Sequence, residues 1–470
     1  MPTYKIEPSK QPLKVKIAKR LIRARKTSLP RLRFDDQKLT SFSGLLVFQK
    51  FFSDIQIDRT LNRCFRSHDN SSAYGLPKVF KLLVIHVILG FQRLRDVEFY
   101  KDDPMVLSTV GIRKAPNVST IARTLADVDG ESVERLHETI RENIVALLEQ
   151  CGVTRVTLDF DGSVLGTNRH AEGAAAGFNR KKKGQRSYYP LFCTVAQTGQ
   201  ILDVLHRSGN VHDSNGAVEF VVQCVEAIRN RLPQVAIETR MDSAFFSDLM
   251  ADTLESLGVE YTISVPFERF CVLKEMIAER RFWRSTSSGE KALKYFEKKW
   301  CPESWEKTRR FLFVRSPSPV QRKGPLQLEL FEPIEFEFEY KVVLTNKRTS
   351  ARNVVRFHEG RGQQENVFSD LKSQGSLGYV PCRKWNANKA FLLANVFAHN
   401  LTRALQVQVG RPGRNLNEKR APLWIFEQWH TLRKNFIQRA GRLTKPGGVQ
   451  TLSVADNVKV REYFERYLAA

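Results

Sequence analysis

Residues 154–161 read Thr-Arg-Val-Thr-Leu-Asp-Phe-Asp, and this stretch restricts the fold more than any other part of the chain. Before Gly152 the apolar spacing is helical. After it the period drops to two, with Val156, Leu158 and Phe160 on one face and Thr157, Asp159 and Asp161 on the other. A carboxylate carried by a buried strand has to be solvated, paired or bound to a cation. One of the two aspartates is therefore expected to be functional, and periodicity does not separate them, because residues two apart on a strand point the same way.

Two further strands are predicted at 191–196 and 201–206, joined by a Gln197-Thr-Gly-Gln turn, then a helix at 215–231. Strands at 235–241 and 261–265 follow, separated by a helix at 247–257. Strand-strand-strand-helix-strand-helix-strand is the order of an RNase H-like α/β core, a mixed sheet flanked by helices. The rest of the chain divides around it: a basic arm over 1–40 with interleaved prolines, a helical N-terminal DNA-binding region over 41–150, and the first part of the core over 151–265. Residues 266–344 are charged, aromatic and strictly alternating near 334–340, which predicts an inserted β-rich subdomain with its own strands. The core resumes over 345–410, and 411–470 is expected to be helical. Within the N-terminal region, Pro116-Asn-Val-Ser-Thr-Ile-Ala-Arg-Thr-Leu has the form of the second helix of a helix-turn-helix.

Charge narrows the partner. Against 50 Asp and Glu the 470 residues carry 75 Lys and Arg, a formal net charge of +25, on a chain that is 42% hydrophobic. So basic a folded protein is suited to a polyanion, with nucleic acid foremost. The longest apolar run, 80–91, is interrupted by Lys81 and His86 and falls short of the roughly 20 residues a membrane span needs. Seven scattered cysteines form no CxxC pair, which argues against a zinc ribbon and for a reduced, cytoplasmic setting, the bacterial nucleoid included. The arm over 1–40 reads either as a solvated tail or as a DNA contact.

Two more carboxylates complete a pattern. Asp242 follows directly on the strand ending at Met241, at the carboxyl end where open α/β sheets gather their active sites. Glu365 lies in Arg361-Gly-Gln-Gln-Glu-Asn-Val-Phe-Ser-Asp-Leu-Lys, four residues after Arg361 on one helix side. Taken singly, Asp242 reads equally as a helix cap and Glu365 as half of a surface ion pair. Three converging carboxylates suit phosphoryl transfer with two divalent ions about 3.5–4 Å apart, and hard oxygen ligands select Mg²⁺ or Mn²⁺.

With these residues quoted, the chain resembles the bacterial insertion-sequence transposases of the DDE class, in the branch whose third block reads Tyr-(2)-Arg-(3)-Glu-(6)-Lys. His358, Arg361, Glu365 and Lys372 meet that spacing, with His where the pattern has Tyr. The likeness is closest to the thirteen-eighty insertion-sequence family, through Leu158-Asp-Phe-Asp-Gly-Ser, Glu172-Gly-Ala, Tyr188-Tyr-Pro-Leu and the tail from Thr431-Leu-Arg to Ala440-Gly-Arg-Leu. The resemblance implies that Asp161, Asp242 and Glu365 hold the metal ions, with Asp159 an alternative or outer ligand. It also implies cleavage at the terminal inverted repeats of an element, joining of the 3′ ends to target DNA, and a homodimer in the synaptic complex. A nuclease of the same fold that does not join, and a silent DNA-binding derivative, are the rival readings.

The expected DNA contacts are Arg361 and Lys372, the basic run Arg180, Lys181, Lys182, Lys183 and Arg186, and His358, whose imidazolium would donate to a terminal phosphate and make cleavage pH-dependent near 6.5. Trp300, with Trp283 and Trp305, would stack an extruded base if it is not core packing. If six or more phosphates are neutralised, DNA affinity should fall by roughly 10³-fold between about 50 and 200 mM salt. A filter-binding or anisotropy titration measures this slope, and a flat response contradicts it.

Overall fold

The computed structural model describes residues 29–168, 170–177, 182–211, 215–285, 293–317, 338–414 and 422–469. Residues 1–28 of the basic arm, Arg180 and Lys181 of the basic run, and most of the alternating stretch at 334–340 lie outside them. The chain forms two compact units, 1–127 with 427–470, and 128–426.

The first unit is built on helices Leu45–Asp54, Ile57–Cys64, Leu76–Leu89, Pro104–Val110 and Val118–Ala126. Helix Leu76–Leu89 is buried along nearly its whole length. Its C-terminal carbonyls are held by Arg433, which donates to Val87 and Ile88 at 2.7 Å. The segment at 116–125 turns helical at Val118, with Ile121 and Leu125 buried and Arg123 exposed. The tail, expected to be helical, has helices Trp429–Leu432 and Val458–Leu468, but between them Gly441–Thr444 and Thr451–Val454 pair as a hairpin, and Leu39–Thr40 joins it as a third strand. The alternating Leu-Thr and Thr-Leu-Ser-Val of those segments suit a half-buried sheet better than a helix.

The second unit contains nine strands in one sheet: β1 Arg155–Gly162, β2 Leu191–Val195, β3 Gln200–Leu205, β4 Ala236–Met241, β5 Glu260–Val265, β6 Arg284–Ser285, β7 Lys294–Trp300, β8 Arg309–Pro317 and β9 Phe338–Thr345. Their spatial order is β6-β7-β8-β9-β5-β4-β1-β2-β3. Strands β1, β4 and β5 are parallel, and the other pairings are antiparallel. Among the described residues, the strands of the β-rich segment thus form no sheet of their own. They continue the central one, with Val342 of β9 opposite Val265 of β5. Backbone N–H and C=O groups along β5 are satisfied by β9, which an isolated subdomain would leave to solvent.

Among the described residues the unit has seven α-helices: α1 Gly130–Gln150, α2 Ala217–Arg229, α3 Asp248–Ser256, α4 Cys271–Ala278, α5 Ala351–Glu359, α6 Gln363–Ser373 and α7 Trp385–Val409. Helix α1, which the sequence groups with the N-terminal helices, belongs to this unit and packs on β3 and α7. One tie is polar: His137 of α1 hydrogen-bonds Asp203 of β3 at 2.5 Å. Helix α7 shields the free edge of β3. Asn400 accepts from Ile201 N–H at 2.9 Å and donates to Ile201 C=O at 2.8 Å, standing in for a neighbouring strand. On the far side, Arg309 at the start of β8 fastens the sheet extension to α3 through Asp248, Asp252 and Glu255.

The apolar face of β1 is as its spacing predicts. Val156, Leu158 and Phe160 are fully buried, and the Phe160 ring meets Phe220 of α2 edge-on at 6.0 Å. Replacing Phe160 by Ala should cost about 3–5 kcal/mol, the usual range for removing a buried aromatic side chain. Urea unfolding of the two proteins measures this. A loss below about 1 kcal/mol would mean that the strand is not central to the core.

Candidate functional site

On its other face the sheet carries polar side chains in register. Thr157 of β1 lies beside Glu238 of β4, and Glu238 beside Glu260 of β5. One level toward the carboxyl ends, Asp159, Arg240 and Thr262 form a second row. Asp161 and Asp242 continue their strands to a third level, beside Ser264. Because β1 and β4 are parallel neighbours about 4.8 Å apart, Asp161 and Asp242 emerge side by side where the strands end.

Within the lower rows every charge has a partner. Lys347 is buried between Glu238 and Glu260 at 2.5 and 2.6 Å, and Arg155 adds a contact to each. Above them Arg240, fully buried, grips Asp159 with Nε on Oδ1 at 2.5 Å and Nη2 on Oδ2 at 2.6 Å. It also donates to the Phe357 carbonyl at 3.2 Å and lies over the Phe357 ring. Burial pushes the Asp159 carboxyl above its ordinary range, against the pull of Arg240. This separates the two aspartates that periodicity leaves equivalent. Both oxygens of Asp159 face a guanidinium and the residue is 1% exposed, so its carboxylate is not placed to serve as an alternative metal ligand. Asp161 is partly exposed at the end of the strand.

Two loops frame Asp161. Its Oδ1 accepts the Gly162 N–H at 2.8 Å. A Cβ on Gly162 would come within 2.6 Å of the Tyr189 ring, so the glycine is required by a close approach. Tyr189 belongs to a loop that leaves β1 and returns to β2, closed by Ser163 N–H to the Pro190 carbonyl at 3.0 Å. The same loop carries Lys182, Lys183 and Arg186, all exposed. The described part of the basic run thus lies within the loop whose two ends meet at the carboxyl end of β1.

From the other side comes the segment holding Glu365. Helices α5 and α6 are joined by a tight turn, Gly360–Gly362, with Arg361 at its centre. Arg361 Nη1 reaches Asp161 Oδ2 at 3.2 Å. Gln364, 1% exposed, donates to the Asp159 carbonyl and the Thr194 hydroxyl, both at 3.0 Å, and pins the first turn of α6 onto β1 and β2. Glu365 follows in that turn, exposed, and Lys372 lies exposed in the last turn. Asp242 caps the turn at 243–245 by accepting the Ala244 N–H at 2.9 Å. Among the described residues no three His, Cys, Asp or Glu side chains stand close enough together to hold a metal ion. Asp161 and Asp242 end neighbouring strands, and Glu365 lies on the helix whose first turn is tied to β1 and β2. All three are oxygen donors of the kind that fits a hard divalent cation.

Two expectations change. His358 is not available as a charged phosphate donor: its Nε2 hydrogen-bonds the Ser264 hydroxyl at 2.8 Å and its Nδ1 the Thr262 hydroxyl at 3.0 Å. Desolvation, then Arg361, Arg240 and Lys341, push its pKa down to about 3. The ring is a neutral tie between α5 and β5. Among the tryptophans, Trp283 is buried, Trp305 packs on Phe246 and Arg309, and Trp300 is half-buried with its ring edge-on to Phe270 and Phe311. Trp300 is therefore part of an aromatic cluster on the sheet extension. The sequence reading missed Arg240 and Gln364. Arg240 was visible in one signal, the alternation Glu238, Arg240, Asp242 against Ile237, Thr239, Met241.

Over residues 23–470 the chain matches the family model described as transposase DDE domain, group 1. No curated protein matches it. Among solved structures it is similar to a piggyBac transposase synaptic complex with hairpin DNA, at 13% identity over 91% of this chain and 84% of that one, with a TM-score of 0.42. It is also similar to the catalytic domain of Mos1 mariner transposase, at 11% identity over 33% of this chain and 76% of that one, with a TM-score of 0.18. No helix among the described residues is long and apolar enough to cross a membrane.

The state of His358 has a measurable sign. The unfolded chain binds a proton on this ring at about 6.5, whereas the folded chain refuses it until about 3, so unfolding takes up a proton between these values. Its contribution to stability is complete above 6.5 and declines on acidification. His358→Gln should reduce the acid slope of unfolding stability, by up to about 1.4 kcal/mol per pH unit, and leave the range from 6.5 to 8.5 unchanged. Denaturant melts across pH test this, and an unaltered acid slope would refute it.

Proposed function

Because this chain belongs to the transposase DDE domain family, group 1, we propose that it cuts phosphodiester bonds at the terminal inverted repeats of a DNA element and joins the freed 3′ ends to target DNA. Asp161, Asp242 and Glu365 are the catalytic carboxylates. The reading rests chiefly on one observation, the parallel register of β1 and β4 that brings Asp161 and Asp242 to neighbouring strand ends, where Arg361, from the turn before Glu365, reaches Asp161. The order β3-β2-β1-β4-β5, antiparallel in its first two pairings and parallel in its last two, supports an RNase H-like core. The His358, Arg361, Glu365, Lys372 spacing supports the insertion-sequence branch.

Two divalent ions held by these carboxylates, Mg²⁺ or Mn²⁺, would supply activation of the attacking hydroxyl and of the leaving oxygen. Asp161 is the first-strand ligand, since Asp159 is committed to Arg240. Arg361 and Lys372 bind phosphate oxygens of the cut strand, Arg as a planar fork and Lys as a point charge. Lys182, Lys183 and Arg186, in the loop that joins β1 to β2, bind the DNA backbone, as do Arg180 and Lys181 of the same sequence run. The helix at 118–126 reads bases or backbone of the terminal repeat. Each chain supplies one set of three carboxylates, so bringing two element ends together calls for two copies.

Replacing Asp161, Asp242 or Glu365 by Ala should lower strand cleavage by at least 10³-fold, on the order of the cost of removing an essential electrostatic group, and leave end binding within a few-fold of wild type. Gel assays with labelled ends measure both. Full cleavage by any one variant would remove that residue from the site, and cleavage without joined products in the wild type would reduce the function to that of a nuclease.

A further inference from the structure

The Asp161 carboxylate already has a cation on it. Arg361 Nη1 lies 3.2 Å from Oδ2, while Oδ1 accepts the Gly162 N–H. The guanidinium thus neutralises a carboxylate that, on the reading above, belongs to a divalent ion. The same guanidinium is the group on this side of the site best shaped to take a phosphate.

We propose that Arg361 has two successive partners, the Asp161 carboxylate before DNA arrives and a phosphate of the DNA end afterwards, so that DNA binding frees Asp161 to take its divalent cation. The inference rests on the metal-ligand reading of Asp161. Three features of the structure make the exchange feasible. The pair is partly exposed, at 23% for Arg361 and 19% for Asp161, so water screens it and a doubly charged competitor can displace it. It contrasts with Arg240 on Asp159, where the exposures are 0% and 1%. The backbone need not move: Gln364 holds the first turn of α6 to the Asp159 carbonyl and the Thr194 hydroxyl, so the Arg361 side chain alone changes rotamer. Arg361 is also flanked by Gly360 and Gly362, which present no side chain to hinder that change.

The chemical consequence is order. Without DNA, a metal ion at Asp161 must compete with an intramolecular guanidinium. With a phosphate in place, that competitor is engaged and the carboxylate is vacated. Metal and DNA end should therefore bind with positive coupling, each raising the affinity of the other by the same factor. Arg361 then acts as a positioning residue, which keeps the Asp161 side chain in its place at the end of β1 until the cation arrives.

The test uses the full chain, Mn²⁺ as the metal probe, and a short blunt-ended DNA duplex as the phosphate source, with bound Mn²⁺ counted by electron paramagnetic resonance. Wild type should bind Mn²⁺ more tightly when the duplex is present. Without DNA, Arg361→Gln should bind Mn²⁺ roughly 2- to 5-fold more tightly than wild type, the range over which a partly exposed ion pair competes, and should show little further gain from DNA. Arg361→Lys, which keeps the charge without the fork, should fall between the two and covers the case that the glutamine variant folds poorly. Mn²⁺ affinity in Arg361→Gln equal to or weaker than wild type would overturn the exchange. Asp161→Asn separates the two levels: if it binds Mn²⁺ as wild type does, the metal-ligand reading fails, whereas weakened binding there together with an unchanged Arg361→Gln overturns the exchange alone.

Discussion

The ion pair between Asp159 and Arg240 is the interaction from which the site takes its geometry. Both side chains are removed from water, and breaking such a pair by deleting one partner typically costs about 3–5 kcal/mol, because the survivor is left charged and buried. Its reach exceeds the two strands it joins. Arg240 also holds the Phe357 carbonyl and lies against the Phe357 ring, which locates α5. The Asp159 carbonyl accepts Gln364, which locates α6. Arg361 and Glu365 lie between or just beyond these two fastenings, so their position near the end of β1 follows from a pair that does no chemistry itself.

The sheet uses its two faces for different ends. Val156, Leu158 and Phe160 bury apolar surface against α2 and supply stability that needs no orientation. The opposite face consists of directional contacts: Lys347 between two glutamates, Arg240 on Asp159, His358 between two hydroxyls. Charge satisfaction grows looser toward the carboxyl ends. It is complete and dry at the level of Asp159, and partly exposed at the level of Asp161, where the Arg361 contact is of the kind worth under about 1 kcal/mol. A gradient from fixed to exchangeable partners suits a place where a polyanion and hard cations must come and go.

Much of this was legible in the sequence, for identifiable reasons. Strand β1 is readable because Val156, Leu158 and Phe160 alternate with polar residues, and Asp242 because it follows an apolar-polar alternation directly. Periodicity did not separate Asp159 from Asp161, although the motif resemblance favoured Asp161: the physical distinction is made by Arg240, 81 positions away in sequence, and only strand register brings that residue opposite Asp159. His358 met a motif spacing, yet its surroundings come from Thr262 and Ser264 on a strand 94 to 96 positions earlier. Alternation in the β-rich segment gave strands but not the edge they would join, since β9 carries no local mark of pairing with β5. The tail is helical at Val458–Leu468 as its pattern suggests, but its hairpin was not readable, because the strand that joins it, Leu39–Thr40, lies near the opposite end of the sequence.

The central claim is that Asp161, Asp242 and Glu365 share a divalent-cation site at the carboxyl ends of β1 and β4. Iron-directed backbone cleavage tests it most directly. Fe²⁺ is substituted for Mg²⁺ in the protein bound to DNA, hydroxyl radicals are generated with ascorbate and peroxide, and the cut sites are read by mass spectrometry. Cuts clustered near residues 161, 242 and 365, and suppressed by excess Mg²⁺, are the result this account predicts. Cuts that avoid those three segments, or that map to one of them alone, would contradict it.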